Sequence, residues 1–301
     1  MDIEGVYVPV ATPFGVDGDI DFGGYDKVVE FVLDGGVSGL VPCGTTGEYY
    51  ALSTEERLQQ LARVRDVAAG RAKLVAGCNA GSTREAIKLA AASRDLGYDA
   101  VMLAVPPTSL PSQRELALHF TAVAEGGGLP VILYNFPARA GTEIGFECLD
   151  AIVDHPGVIA IKESSGDFSR FLQLRRRYAD RITIMCGSDD QAVDYFAWGV
   201  RSWLAGTANV LPRHHTAIME AANRGDLAEA RRGFDAILPW VQHMESGSYN
   251  QKVKLGLRHQ GIECGDVRAP LQPMEPAASA EFIEVLSAAL AAPHAASVTA
   301  V

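Results

Sequence analysis

The chain is short of the features that define several whole classes of protein. Its 301 residues include five cysteines, Cys43, Cys78, Cys148, Cys186 and Cys264, and no Cys-x-x-Cys spacing. An odd, scattered set reads as reduced thiols in a cytoplasmic protein and not as a disulfide framework. No stretch approaches the roughly 20 apolar residues of a membrane span. The start, Met1-Asp2-Ile3-Glu4-Gly5, has neither the cationic opening nor the apolar run of a secretory signal. Positive charge is scarce: 26 Lys and Arg stand against 37 Asp and Glu, a net −11. That balance argues against nucleic acid or an anionic membrane as a partner. No Gly-x-Gly-x-x-Gly follows the first strand-like run, which removes the dinucleotide-binding signature.

At 48% hydrophobic and 21% charged, the chain has enough apolar mass for one large α/β barrel or two ordinary domains. Short β-rich runs recur at 6–10, 39–42, 74–77, 100–105, 131–134, 158–161, 182–185 and 202–205. Between them lie stretches of helical period at 25–33, 54–69, 83–96, 114–124, 146–153, 168–178 and 191–198. Ser53-Thr54-Glu55-Glu56 and Ser82-Thr83-Arg84-Glu85 read as helix starts, and Gly35, Gly70 and Gly97 as helix stops. Eight strands, each followed by a helix, predict a (β/α)8 TIM barrel over residues 1–224. A doubly wound open sheet is the alternative. Further helical patterns at 213–223, 226–244, 251–260 and 280–291 exceed what closes a barrel, so residues 225–301 are expected to form a helical C-terminal extension, with 292–301 frayed.

In such a barrel the chemistry sits at the C-terminal ends of the strands. The seven histidines avoid those positions, and His214-His215, beyond the eighth strand, read as helix surface. No metal site is expected, nor any other cofactor. Glycine-rich amides for a phosphate are missing after strands 7 and 8, where Asp189 and Asp190 would repel a dianion, so an unphosphorylated substrate fits better. Lysine is rare here, and Lys162 is the one that ends an apolar strand run, in Val158-Ile159-Ala160-Ile161-Lys162-Glu163. Desolvation there would favour the neutral amine that imine chemistry needs. A structural pairing of Lys162 with Glu163 or Asp167 is the plain alternative. Tyr134, one strand away, offers a phenol for proton transfer, or barrel-rim packing. The Gly44-Thr45-Thr46-Gly47 turn offers hydroxyls and amides to a carboxylate, or is a tight loop. Arg139 offers a bidentate grip on a second carboxylate, or a surface ion pair.

The sequence resembles the dihydrodipicolinate synthase and N-acetylneuraminate lyase family, class I aldolases and lyases of pyruvate-type 2-oxo acids. The resemblance covers about residues 3–290. It rests on Gly44-Thr45-Thr46-Gly47-Glu48, Tyr134-Asn135-Phe136-Pro137-Ala138-Arg139, Ile161-Lys162-Glu163 and Gly206-Thr207-Ala208-Asn209. It implies that Lys162 forms an imine with the 2-oxo acid and that Tyr134, with Thr45 beside it, relays protons. It implies that Thr46 and the Gly44 turn hold the substrate carboxylate, that Gly187 and Leu204 line the pyruvate pocket, and that Arg139 holds the carboxylate of an aldehyde partner. It also implies a homotetramer built from tight dimers. One departure stands out. Where synthase members carry paired tyrosines after strand 4, one of which enters the neighbouring subunit's relay, this chain has Thr108 and Ser109. A short hydroxyl cannot span a subunit boundary, so the relay lacks its third member unless Tyr49 or Tyr50 serves.

The expected activity is therefore imine-based cleavage, condensation or dehydration of a small acidic or polyhydroxy compound, such as a 4-hydroxy-2-oxo acid, a 2-keto-3-deoxy sugar acid or a hydroxyproline-derived pyrroline. Synthesis of 4-hydroxy-tetrahydrodipicolinate from pyruvate and aspartate semialdehyde is the alternative that Arg139 supports. A non-catalytic 2-oxo-acid-binding protein and a metal-dependent aldolase are the rivals from other classes.

Overall fold

The computed structural model describes residues 3–292; the expected fraying of the terminus falls, from residue 293 onward, outside them. Eight parallel strands pair in sequence order and β8 closes on β1. They are β1 (Gly5–Val8), β2 (Gly39–Leu40), β3 (Lys73–Gly77), β4 (Ala100–Ala104), β5 (Val131–Asn135), β6 (Val158–Glu163), β7 (Thr183–Cys186) and β8 (Ser202–Leu204). The outer ring comprises α1 (Phe22–Asp34), α2 (Thr54–Ala68), α3 (Thr83–Asp95), α4 (Gln113–Gly127), the short α5 (Pro137–Ala140), α6 (Phe146–Ile152), α7 (Phe168–Tyr178), α8 (Ala192–Ala197) and α9 (Pro212–Asn223). Three helices follow: α10 (Leu227–Glu245), α11 (Tyr249–His259) and α12 (Pro276–Leu290). The chain is a (β/α)8 barrel with a helical C-terminal extension; the open-sheet alternative fails because no strand edge is left unpaired.

Local signals explain where the helices begin. Ser53 and Ser112 each form a complete capping box with the glutamate three residues on, Glu56 and Glu115, so two orphan amides are satisfied at each start. Asp21, Ser82 and Asp167 cap α1, α3 and α7 with a single side chain. Gly70 and Gly97 have φ of +79° and +84°, the left-handed turn that ends a helix. Gly35 stays right-handed and leaves that turn to Gly36 at +80°.

Two cores result. Tyr7, Val41, Val75, Met102, Ile132 and Met185 are among the side chains that fill the barrel interior, while a larger shell joins strands to helices. In β6 the alternation slips once. Pairing with β5 shifts between Val131 and Ile132, so that Val158 belongs to the outer shell while Ile159 and Ala160 both pack on the inner core. The bulge inverts the phase of every later residue. Lys162 consequently faces the barrel interior and Glu163 the outer shell. The strand also runs further than its apolar run: Lys162 and Glu163 lie within β6, and the polar turn starts at Ser164.

Candidate active site

Strands β5 and β6 pair Tyr134 with Lys162 and Asn135 with Glu163. The first pair points into the barrel mouth, where the Lys162 ammonium nitrogen lies 4.3 Å from the centre of the Tyr134 ring. Both side chains are buried, each residue 6% exposed. The structural partners that could have claimed Lys162 are occupied. Glu163 accepts two bonds from Asn135 Nδ2, one from Arg170 Nε and one from the Ser165 amide. Asp167 caps α7 through the Ser169 and Arg170 amides. Among the described residues no carboxylate lies within ion-pair distance of Lys162, so its amine is free for a ligand.

The Gly44-Thr45-Thr46-Gly47 turn is held from both ends. Cys43 and Glu48, on either side, adopt left-handed φ of 58° and 55°, a strained conformation for residues with a side chain. Gly77 passes so close that a Cβ there would sit 2.2 Å from the Cys43 carbonyl oxygen. Glu48 is anchored by Lys254 at 2.8 Å and by the Arg268 amide at 3.0 Å, in a setting where both charged groups are almost fully buried. Asn250 Nδ2 donates to the Thr45 carbonyl and Thr12 Oγ1 to that of Gly47. The turn therefore depends on α11 and on the loop before α12, more than 200 residues away.

A cavity of about 240 Å³ gathers Lys162, Tyr134, Thr45, Thr46, Arg139 and Gly187 at the barrel mouth. At Gly187 a Cβ would lie 2.7 Å from Lys162 Cε and 2.1 Å from Ser164 Oγ, so glycine makes room for the lysine. Two of the expected site residues lie outside that lining: Leu204 belongs to the packed interior below it, and Gly44 backs onto Met102 and Pro9. A second cavity of about 330 Å³ adjoins the first and shares Thr45, Tyr134, Phe136 and Arg139 with it. The Arg139 guanidinium stacks 5.5 Å from the Phe136 ring.

Tyr49 and Tyr50 line the second cavity beside Tyr134. Tyr50 accepts from Asn250, and burial pushes its pKa up to about 12. Tyr49 faces the Arg57 guanidinium at 5.5 Å, with its pKa also raised by burial. Thr108 and Ser109 are exposed on a loop in which Thr108 has φ of 73°. Among the described residues no hydrogen bond joins the hydroxyls of Thr45 and Tyr134.

Two readings of the sequence change. His214 and His215 are not on the helix surface: His215 is fully buried, with Nδ1 donating to the Leu211 carbonyl and Nε2 against Thr207 Oγ1, and burial lowers its pKa. Asp189 is not a free charge at the rim. Its carboxylate accepts from Trp203 Nε1, the Thr207 amide and hydroxyl, and the Tyr249 hydroxyl, locking β7 to β8 and to α11. Asp190 remains exposed, and partial burial raises its pKa. Sequence reasoning does not single out Glu245, Tyr249 and Asn250, which also line the cavity. The one available signal was the polar break between two helical patterns at 245–250.

Comparison with known proteins agrees with this geometry. The model of the dihydrodipicolinate synthetase family matches residues 2–289. A 4-hydroxy-tetrahydrodipicolinate synthase of Exiguobacterium sp. (strain AT1b) is 34% identical over 94% of this chain and 96% of its own. One from Pseudomonas aeruginosa is 35% identical over 91% and 94%. The crystal structure of the chloride-inhibited dihydrodipicolinate synthase from Acinetobacter baumannii, complexed with pyruvate, superposes with a TM-score of 0.92 at 31% identity, covering 96% of this chain and 99% of that one. The synthase of Methylacidiphilum fumariolicum SolV gives 0.92 at 29% identity, covering 96% of each. By sequence and by fold, the chain belongs to the dihydrodipicolinate synthetase family of aldolase-type lyases.

Proposed function

We propose that this enzyme binds pyruvate or a related 2-oxo acid as an imine on Lys162 and makes or breaks a bond through the resulting enamine. The observation that carries the reading is the unpaired, buried Lys162 amine against the Tyr134 ring in a cavity that also presents Thr45 and Thr46. The Lys162 nitrogen adds to the C2 carbonyl carbon, and the carbinolamine loses water to give the imine. Loss of a C3 proton gives the enamine, whose C3 attacks an aldehyde carbon as the aldehyde oxygen takes up a proton; hydrolysis then frees the lysine. The reverse sequence is cleavage. In this reading Tyr134 moves these protons, with Thr45 beside it, while Thr46 and the amides of the Gly44 turn hold the 2-oxo acid's carboxylate. Gly187 keeps the pocket open, Leu204 supports its floor, and Arg139 takes the partner's carboxylate.

Condensation of pyruvate with aspartate semialdehyde is the second reading, favoured by the names of the relatives and by Arg139. The replacement of the tyrosine pair by Thr108 and Ser109 weighs toward another partner. A cytoplasmic homotetramer completes the proposal. The five free cysteines are all buried, and Tyr50 and Leu110, in the loops after β2 and β4, are large hydrophobic side chains left exposed. Light scattering on the purified protein checks the assembly.

The test is reductive trapping with pyruvate followed by peptide mass spectrometry. A pyruvyl adduct on Lys162, absent from a folded Lys162→Ala variant, is expected. No adduct with pyruvate or any longer 2-oxo acid would overturn the reading and leave a binding protein without imine chemistry.

A further inference from the structure

The cavity has one wall that the barrel strands do not build. Glu245, the last residue of α10, lines it together with Tyr249 and Asn250 of α11. The charges around Glu245 come from several elements: Lys162 of β6, Arg139 of α5, Asp189 and Asp190 after β7, and Tyr249 and Lys252 of α11. Most are committed. Asp189 is fully hydrogen-bonded within the fold, Lys252 donates to the His243 carbonyl and Ser246 hydroxyl, and Lys162 is reserved for the 2-oxo acid. Glu245 and Arg139 are different. Among the described residues neither side chain has a hydrogen bond or an ion pair, Arg139 only stacking on Phe136, and both face the same 240 Å³ space.

We propose that Glu245 is a specificity-determining residue whose protonation selects the charge of the substrate's distal end. Protonated, it leaves Arg139 uncompensated, and a tail ending in a carboxylate is accepted. Ionised, it opposes that carboxylate and shifts preference to a neutral, hydroxylated tail. The inference rests on the imine reading of Lys162. Partial burial against the cavity, together with the charges of Asp189 and Asp190, pushes the Glu245 pKa up to about 7 against the opposing pull of Lys162 and Arg139, so the switch operates near neutrality. The side chain keeps an exposed face, so it exchanges protons freely with solvent.

The experiment measures half-saturating concentrations for cyanoborohydride trapping on the intact enzyme at pH 6 and pH 8. Three probes are used: pyruvate, 2-oxopentanoate with a neutral tail, and 2-oxoglutarate with a carboxylate tail. In the wild type, preference for 2-oxoglutarate over 2-oxopentanoate should be about fivefold greater at pH 6 than at pH 8, the scale of one partly solvated like-charge interaction. Glu245→Gln should show the pH 6 preference at both values and Glu245→Asp should restore the pH dependence, each preference being taken as a ratio to pyruvate in the same variant because Glu245 also faces Lys162. A preference in Glu245→Gln that follows pH as the wild type does would overturn the proposal. So would trapping of pyruvate with neither longer acid, since no tail then reaches Glu245. Absence of every adduct, pyruvate included, would instead fail the imine reading and remove the basis of this one.

Discussion

The buried pair Lys254–Glu48 gives the sharpest test of how the Gly44-Thr45-Thr46-Gly47 turn is held. Both side chains are almost entirely removed from solvent and meet at 2.8 Å. Lys254 also donates to the Asp266 carbonyl at 2.7 Å and lies 4.1 Å from the centre of the Phe14 ring, while burial lowers its pKa. Lys254→Met removes the cation and keeps most of the packing volume. Glu48 is then left as a buried carboxylate with one remaining donor, the Arg268 amide. Breaking one side of such a pair costs about 3–5 kcal/mol, because an uncompensated charge stays behind. For a chain of this size each kcal/mol lowers Tm by about 2–4 °C, so a fall on the order of 10 °C is expected in a thermal melt. Glu48 holds a left-handed backbone immediately after Gly47, so the loss of its anchor relaxes the Thr45-Thr46 turn. The pyruvate concentration needed for half-maximal trapping should rise about tenfold. Glu48→Gln combined with Lys254→Met removes both charges and should recover most of the stability, while Lys254→Met alone does not. A single variant that melts within about 2 °C of wild type and traps pyruvate at the same concentration would refute the argument: the turn would not depend on the pair.

Other perturbations follow from the same geometry. Tyr134→Phe should slow imine formation by about 10²-fold or more, the effect of removing a general acid–base; an unchanged trapping rate would take the phenol out of the relay. Gly187→Ala places a methyl group 2.7 Å from Lys162 Cε and should lower the trapping rate by about 10²-fold through displacement of the amine, with the melting curve showing that the barrel remains folded. His215 is buried with its pKa lowered, so the unfolded chain binds its proton first as the pH falls. The stability it contributes is complete above about pH 6.5 and is lost as the solution is acidified. Urea midpoints should therefore drop more steeply between pH 7 and pH 5 in the wild type than in His215→Gln, and equal slopes would show that another group governs the acid limb.

The barrel was readable from the sequence because its elements are local. Apolar runs of four to six residues, capping boxes at Ser53 and left-handed glycines at 70 and 97 each declare themselves within one turn of chain. What could not be read were phase and burial. The bulge after Val158 turns Lys162 inward, yet an uninterrupted Val-Ile-Ala-Ile run carries no mark of it. The burial of His215 depends on Trp203 and Trp240, whose rings lie 4.5 and 6.4 Å from its own, contributed by β8 and α10. Asp189 reads as a rim charge until Trp203, Thr207 and Tyr249 are brought to it.

The division between what the sequence disclosed and what it hid follows the chemistry of the site. In the proposed reaction the bond-making groups must stand at fixed positions relative to one another, and neighbouring strands of a barrel supply that rigidity: Tyr134 and Lys162 are register partners across one strand pair. Such residues sit at strand ends, where a sequence reading looks first. The groups proposed to meet the rest of the substrate come from elsewhere. Glu245, Tyr249 and Asn250 enter from the extension, and Asn250 also reaches back to the Thr45 carbonyl and the Tyr50 hydroxyl. A change in this segment can therefore alter which tail is admitted without moving Lys162. It can also alter how firmly the Gly44-Thr45-Thr46-Gly47 turn is held, because Lys254 lies in the same helix as Asn250. Substrate choice and turn rigidity are thus coupled through α11, and a variant that remodels 245–250 should be judged by the ratio of its preferences among 2-oxo acids, not by its rate with pyruvate alone.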